Sequence, residues 1–257
     1  MKCADYSVWQ YMQNFEKGCL KSPMIESFQG TLLLGSKKIR APLLIKNMLS
    51  RQQLDRLRAD IRFTAELGGR NLVIHSTWGL FSPREIDEGT RLLLKYLQVR
   101  PADDCLDLGC GYGPIGLAMA VLAPEGRTLM VDKDFVAVRY SNRNAERNAI
   151  HNARAQLSNG FDQIDPAVRF DLIASNLPAK VGSEMISLYL HDARARLRPG
   201  GSLYLVTING LRQYLKRNLI EVFGNYEKLK QGARYTVALA RPENETAAAD
   251  RFQKMGL

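Results

Sequence analysis

Leu106-Asp107-Leu108-Gly109-Cys110-Gly111-Tyr112-Gly113-Pro114-Ile115-Gly116 is the stretch on which the fold turns. An apolar run ends in an acid, glycines follow at alternate positions, and a helical pattern begins. The pattern reads as a strand passing into a helix through a loop stripped of side chains. Glycine tolerates positive φ and lets a ligand lie against the main chain, so the cluster predicts a nucleotide-like cofactor across the carboxyl end of the first strand. Spacing narrows the ligand. A dinucleotide fold uses G-x-G-x-x-G to aim free N–H groups at a pyrophosphate. Here the order is D-x-G-x-G-x-G, and the carboxylate of Asp107 would repel a phosphate but suits a cation. Taken alone, the glycines also fit a tight strand-to-helix turn in some other α/β protein.

Downstream, Ile115 to Leu122 continues as a helix, and Thr128–Val131 reads as a strand ending in Asp132. An acid some 20 residues beyond the glycine loop, at the tip of the second strand, can accept from both hydroxyls of a ribose. Asp132 is therefore the ribose candidate. Asp134 competes for that role but is better placed to cap the helix from Phe135 to Asn148. A third strand at Arg154–Leu157 leads into Ser158-Asn159-Gly160-Phe161-Asp162. A fourth, Arg169–Ser175, delivers Asn176-Leu177-Pro178-Ala179 to the same edge. A helix from Ser183 to Leu197, the turn Arg198-Pro199-Gly200-Gly201, a strand at Ser202–Thr207 and a helix from Leu211 to Val222 follow. Tyr226–Lys230 and Tyr235–Ala240 close the chain as a hairpin through Gly232. This alternation predicts a doubly wound α/β sheet, parallel except for one strand of the terminal hairpin.

Upstream, Leu72–Ile74 reads as a short strand. The loop His75–Pro83 then enters a helix from Arg84 to Leu97, with Ser82 as N-cap, Pro83 at the first helical position and Glu85 completing a capping box. Ser50 to Leu67 reads as a helix carrying Arg51, Arg56, Arg58 and Arg62, and Gly68-Gly69 breaks the chain after it. Residues 1–70 hold twelve Lys or Arg against six Asp or Glu, about half the basic excess of the whole chain. They form a basic N-terminal extension and candidate substrate-binding region, followed by a catalytic domain at 71–242 and a loose tail at 243–257.

The 257 residues, 46% hydrophobic and 24% charged, are enough to bury a full core. No apolar run approaches the roughly 20 residues of a membrane span, and no leader pattern is present, so a cytoplasmic location is expected. Cys3, Cys19, Cys105 and Cys110 include no CxxC pair and stand near no histidine cluster, which suggests neither zinc nor redox chemistry. His75, His151 and His191 read as surface or packing residues. A net charge of +10 favours a polyanionic partner such as RNA, although such a balance also occurs in proteins that touch no nucleic acid.

The glycine stretch resembles motif I of the class I S-adenosylmethionine (SAM) methyltransferases, whose ligand carries an ammonium group and a sulfonium. Gly79-x-Phe81-Ser82 with Ile86-Asp87-x-Gly89-Thr90 resembles the segment before motif I in bacterial rRNA guanine-N2 methyltransferases of the small methyltransferase domain family. The asparagine pattern around Asn142, Asn144 and Asn148 and the Leu197-x-Pro199-Gly200-Gly201 turn are similar to the same family. The resemblance implies the seven-stranded class I methyltransferase fold over about two thirds of the chain, SAM as cofactor and no metal. Asp107, Gly109, Gly111 and Gly113 would hold the methionine end, Asp132 the ribose and Asn159 the adenine amine, with Phe161 beside the ring.

Asn176-Leu177-Pro178-Ala179 stands at motif IV, whose usual form in enzymes that methylate an exocyclic or amide nitrogen is N-P-P followed by an aromatic. Asn176 and Pro178 are kept as catalytic residues. Leu177 replaces a proline, and Ala179 stands where an aromatic would stack on a flipped base. Trp78 and Phe81 are the available substitutes and, with Ala179, the candidate substrate residues. The favoured function is N-methylation of an RNA base, above all a guanine amine in rRNA. Methylation of a protein amide or a small molecule, and an inactive SAM- or RNA-binding protein, stay open.

Overall fold

The computed structural model describes residues 31–34, 37–40, 50–178 and 182–242, the first two segments by their backbone alone. Ala179, Cys3, Cys19 and the tail 243–257 lie outside the described residues. The chain divides into two compact units, residues 1–58 and 59–257. In the first, β1 (Thr31–Leu34) and β2 (Lys37–Arg40) form an antiparallel hairpin, and α1 spans Arg51–Arg58.

The helix expected as far as Leu67 stops at Arg58, because Ile61–Leu67 is a strand, β3, of the second unit. Its apolar Ile61, Phe63, Ala65 and Leu67 alternate with Arg62, Thr64 and Glu66, and a period of two selects a half-buried strand over a helix. β3 pairs with β4 (Arg70–Ser76). Gly68 and Gly69, with φ of 59° and 79°, are the two-residue turn between them rather than a break. Two central residues at positive φ match the right-handed twist of a hairpin.

After α2 (Glu88–Tyr96) the chain alternates as β5 (Cys105–Leu108), α3 (Pro114–Leu122), β6 (Thr128–Asp132), α4 (Phe135–Arg147), β7 (Ala153–Leu157) and β8 (Phe170–Asn176). It continues through α5 (Ser183–Arg196), β9 (Leu197–Ile208), α6 (Arg212–Phe223), β10 (Glu227–Gln231) and β11 (Tyr235–Ala240). The seven strands stand in the order β10-β11-β9-β8-β5-β6-β7. Only β11 runs against both its neighbours, as the alternation predicts.

Strand alternation sends Leu106 and Leu108 to the face that packs with Ile186, Leu190, Leu215 and Leu219 of α5 and α6. Cys105 instead packs with Leu93, Ile115 and Met119 of α2 and α3. Asp107, two residues along, belongs to that second face, and this puts an acid beneath the start of α3. The β3–β4 hairpin joins a third cluster with α3 and α4. Asn144 clasps its edge: the Asn144 amide oxygen accepts from His75 N (2.8 Å) and its NH2 donates to His75 O (2.9 Å). Asn148, one turn on, does the same at Val73 (2.8 and 2.9 Å). Two side chains at i and i+4 on a helix thus stand in for a third strand.

Candidate active site

Strand order reverses at β5: the chain goes to β6 and β7 on one side and then to β8 on the other, and ligands of open α/β sheets bind at such a switch point. Asp107 is paired with Ala174, so the loop after Leu108 and the side chain of Asn176 leave the sheet side by side. Ser175 ties these two strand ends, its hydroxyl donating to Leu108 O at 2.7 Å.

The glycines of the loop fall into two kinds. Gly109 and Gly111 have φ of 76° and 57°, and a Cβ on either would meet open space. Their bare backbone is a cradle open to a ligand. Gly113 (φ 92°) faces Ser141, where an added Cβ would come within 3.0 Å of the hydroxyl, and Gly116 would drive one to 2.3 Å from Met130. These two serve close packing of α3 and α4 on the sheet, so of the loop glycines assigned to the cofactor, Gly113 has a packing reason of its own.

Asp107 is fully buried, with 0% exposure. Its Oδ2 accepts from Gly116 N at 2.7 Å in the first turn of α3, where a carboxylate complements the helix dipole. Its Oδ1 is buried without a hydrogen-bond partner among the described residues. Burial above all pushes this carboxyl up to about 7, with Asp132 adding repulsion against the Gly116 hydrogen bond. A buried acceptor with an unmet demand below an open glycine cradle fits a ligand that brings a cation or N–H donors, as the methionine end of SAM does.

Asp132 ends β6 with both oxygens in use: Oδ2 accepts from Gly111 N and Oδ1 from Asp134 N, each at 2.9 Å. A carboxylate offers about four lone-pair sites, so two are left for a ribose. Asp134 caps α4 by accepting from Val136 N at 2.8 Å, the role expected of it. Asn159 is exposed beyond β7, and its NH2 donates to Asp162 at 3.1 Å. Phe161, expected beside the adenine, is only 3% exposed and belongs to the core. Leu157, at the end of β7 and two residues before Asn159, is half exposed.

Across the switch point, Asn176 is gripped from behind. Its NH2 donates to Asp87 Oδ2 and to Thr90 Oγ1, both at 3.0 Å. An ionised carboxylate only accepts, so the amide edge facing Asp87 must be the NH2, and the amide oxygen is turned the other way. Asp87 also accepts from Gly89 N (2.8 Å), Thr90 N (3.2 Å) and the Tyr235 hydroxyl (3.1 Å). Asp87, Thr90 and Tyr235 were missed as site residues in the sequence. The signal for Asp87 and Thr90 was their place in the Ile86–Thr90 motif; for Tyr235 there was none. Leu177 N donates to Val206 O at 2.9 Å and its side chain is buried, so leucine at this place adds a ladder hydrogen bond that proline lacks. Pro178 is exposed just beyond.

The helix before the site starts later than its sequence suggests. α2 begins at Glu88 with Asp87 as N-cap, and Ser82, the expected cap, sits at φ 46° with its hydroxyl on Glu85 O. Asp87 wins because its carboxylate satisfies two free N–H groups of the first turn at once. Residues 82–85 are instead held by the hydroxyl of Tyr112 in the glycine loop, which donates to Ser82 O (3.1 Å) and Glu85 O (3.0 Å). Trp78 and Phe81 on this loop are 43% and 65% exposed, and the Arg84 guanidinium lies 4.6 Å from the Trp78 ring centroid. His75 is a buried packing residue with Nδ1 3.3 Å from Asp60. Burial pushes the Cys105 thiol up to about 12 and Cys110 well above its usual value, so neither is a nucleophile. No helix among the described residues is long and apolar enough to cross a membrane.

Residues 71–239 match the family model described as methyltransferase small domain. The ribosomal RNA small subunit methyltransferase C of Hamiltonella defensa is 35% identical over 172 residues, 65% of this chain and 50% of that protein. The ribosomal RNA large subunit methyltransferase G of Streptomyces avermitilis is 33% identical over 180 residues, 68% of this chain and 46% of that protein. A solved structure, the T. thermophilus 16S rRNA N2 methyltransferase in complex with AdoMet and guanosine, superposes with a TM-score of 0.65 at 32% identity, covering 72% of this chain and 51% of that one. The chain thus spans about half the length of these rRNA methyltransferases.

Proposed function

From the premise that the chain belongs to the methyltransferase small domain family of SAM-dependent methyltransferases, we propose that it methylates the exocyclic amine of a guanine in ribosomal RNA. The observation that carries the reading is the fixed amide of Asn176, whose NH2 is consumed by Asp87 and Thr90 so that its oxygen is presented as an acceptor. An exocyclic NH2 donates one hydrogen to that oxygen, and this contact orients the nitrogen lone pair toward the cofactor side of the switch point. SAM would supply a methyl group on a sulfonium that leaves as a neutral thioether without protonation, and the methylated nitrogen would release one proton to water. Asp107, the open cradle of Gly109 and Gly111, Asp132 and Asn159 would hold the methionine, ribose and adenine parts of the cofactor.

Pro178 stiffens the exit from β8 after Asn176. Trp78 and Phe81 offer exposed rings for stacking on the base, compensating for the alanine at 179. The names of the rRNA enzymes above support this acceptor, and so does the net charge of +10. The basic residues of 1–70 are proposed to add phosphate contacts. The test is transfer of labelled methyl from SAM to ribosomal RNA, followed by nucleoside analysis. Label in N2-methylguanosine is expected; label confined to protein or to small molecules would reject RNA as the acceptor.

A further inference from the structure

Away from the cofactor, α6 and the edge strand β10 enclose a cleft of about 400 Å³ lined by Arg212, Gln213, Lys216, Tyr226 and Lys228. Its charges break the rules that stabilise helices. Arg212 is the first residue of α6, at the positive end of the helix dipole, and the first turn holds no acid. Lys216 follows at i+4, a spacing at which like charges repel. Lys228 brings a third cation from β10, and Lys230 lies two residues further along the same strand. Among the described residues none of these four makes an ion pair. Among the described residues the Arg212 side chain donates to the neutral amide oxygen of Gln231 and to no carboxylate. The nearest acid on β10, Glu227, is paired with Arg241. Lysines on an edge strand deter pairing with another sheet, and that accounts for Lys228 and Lys230. It does not account for Arg212 and Lys216, which are on the helix.

An anion that enters the cleft would relieve the repulsion, and Tyr226 adds a ring, with the Lys216 ammonium 5.9 Å from its centroid. Cations beside an aromatic face are what single-stranded nucleic acid uses, phosphate on the one and base on the other. The cleft also lies on the way to the acceptor. Gln231, the partner of Arg212, is in register with Thr236, then Thr207, one residue beyond the Val206 that pairs with Asn176. Three strand spacings, about 14 Å, separate the two levels.

We infer that the α6–β10 cleft is a binding track for the sugar–phosphate backbone of the RNA substrate, delivering the strand to Asn176. The inference rests on the RNA reading above; its test reads RNA binding, and methyl labelling only separates the failure of one from the failure of the other. Binding of the full chain to a mixed-sequence single-stranded RNA oligonucleotide is measured across a salt series for the wild type, R212Q/K216Q/K228Q and R212K/K216R/K228R. The neutral variant is expected to lose affinity by about tenfold or more, and its slope of log affinity against log salt to fall by about 2, some 0.7 per lost phosphate contact. The charge-keeping variant should retain both. Unchanged affinity and slope in the neutral variant overturn the track, as does an equal loss in the charge-keeping one. A wild type that binds RNA but labels none breaks the acceptor reading and leaves the track intact. A labelled RNA whose binding ignores the three substitutions breaks the track alone.

Discussion

On the function proposed above, the two halves of the site are built in opposite ways. The cofactor half comes from contiguous sequence: three glycines, the acid two residues before them and the acid that ends the next strand, joined by the Gly111–Asp132 hydrogen bond. The acceptor half is assembled from far apart, with Asn176 reaching back 89 residues to Asp87, and Asp87 held in turn by Tyr235, 148 residues on. One half depends on a local backbone shape and the other on the tertiary fold. Damage to the first should therefore appear in cofactor binding, and damage to the second in turnover.

The largest break is expected from Asn176→Ala, which removes the acceptor oxygen. Methyl transfer should fall by about 10²–10³-fold while calorimetric SAM affinity stays unchanged; a parallel loss of affinity would erase the distinction between the halves. Asp132→Ala is the converse. Loss of a charged acceptor for two hydroxyls, and of the anchor on Gly111, should weaken SAM binding by about 100-fold. Its kcat at saturating SAM should stay near that of the wild type.

Asp87→Asn sharpens the comparison. Asparagine caps a helix as well as aspartate, so α2 should persist and the melting temperature hardly move. The oxygen that caps α2 is the same Oδ2 that accepts from Asn176, so asparagine keeps that grip and gives up only the charge and the acceptor for Tyr235; kcat should drop by about threefold while the SAM affinity holds. A large fall in melting temperature would mean that Asp87 is a structural residue only.

Asp107 gives the cofactor half a pH signature. Its folded-state value of about 7 lies above the ordinary 3.8, so the unfolded chain loses this proton first. The group's contribution to stability therefore declines as pH rises from about 4 to about 7 and is level above that. A cationic ligand favours the ionised form, so SAM affinity should rise with pH through 7, with proton release on binding. In Asp107→Asn this slope should vanish. Calorimetry in buffers of different ionisation enthalpy measures the released proton, and a slope that survives the substitution would remove Asp107 from the cofactor site. The smallest effect is expected from Tyr112→Phe, which unties the loop at residues 82–85 from the glycine loop. It should cost about 1 kcal/mol, seen as a drop in melting temperature of a few degrees with both binding and turnover largely kept.

The same contrast explains what could be read from the sequence. The sheet and its order of elements were legible, because glycine loops and apolar runs carry their meaning within a few residues. So was the cap at Asp134. Ile61–Leu67 satisfies two patterns at once, since the arginine spacing from Arg51 to Arg62 fits a helix while the alternation of Ile61, Phe63, Ala65 and Leu67 fits a strand, and pairing with β4 decides for the strand. Ser82 looked like a cap by the spacing rule, but a better carboxylate stood five residues later. The packing of Phe161 in the core, and the grip of Asp87 and Tyr235 on Asn176, depend on which strands become neighbours, and no local pattern records that.

The clasp of the hairpin by α4 has a consequence for exchange with solvent. The amides of Val73 and His75 donate not to a strand but to Asn148 and Asn144. They can take up deuterium only when β4 comes away from the helix, so they report one event, the undocking of the hairpin, separately from opening of the seven-stranded sheet. Because β4 runs directly into the loop that bears Trp78 and Phe81, the protection of two backbone amides becomes a gauge of how firmly the start of that loop is fastened.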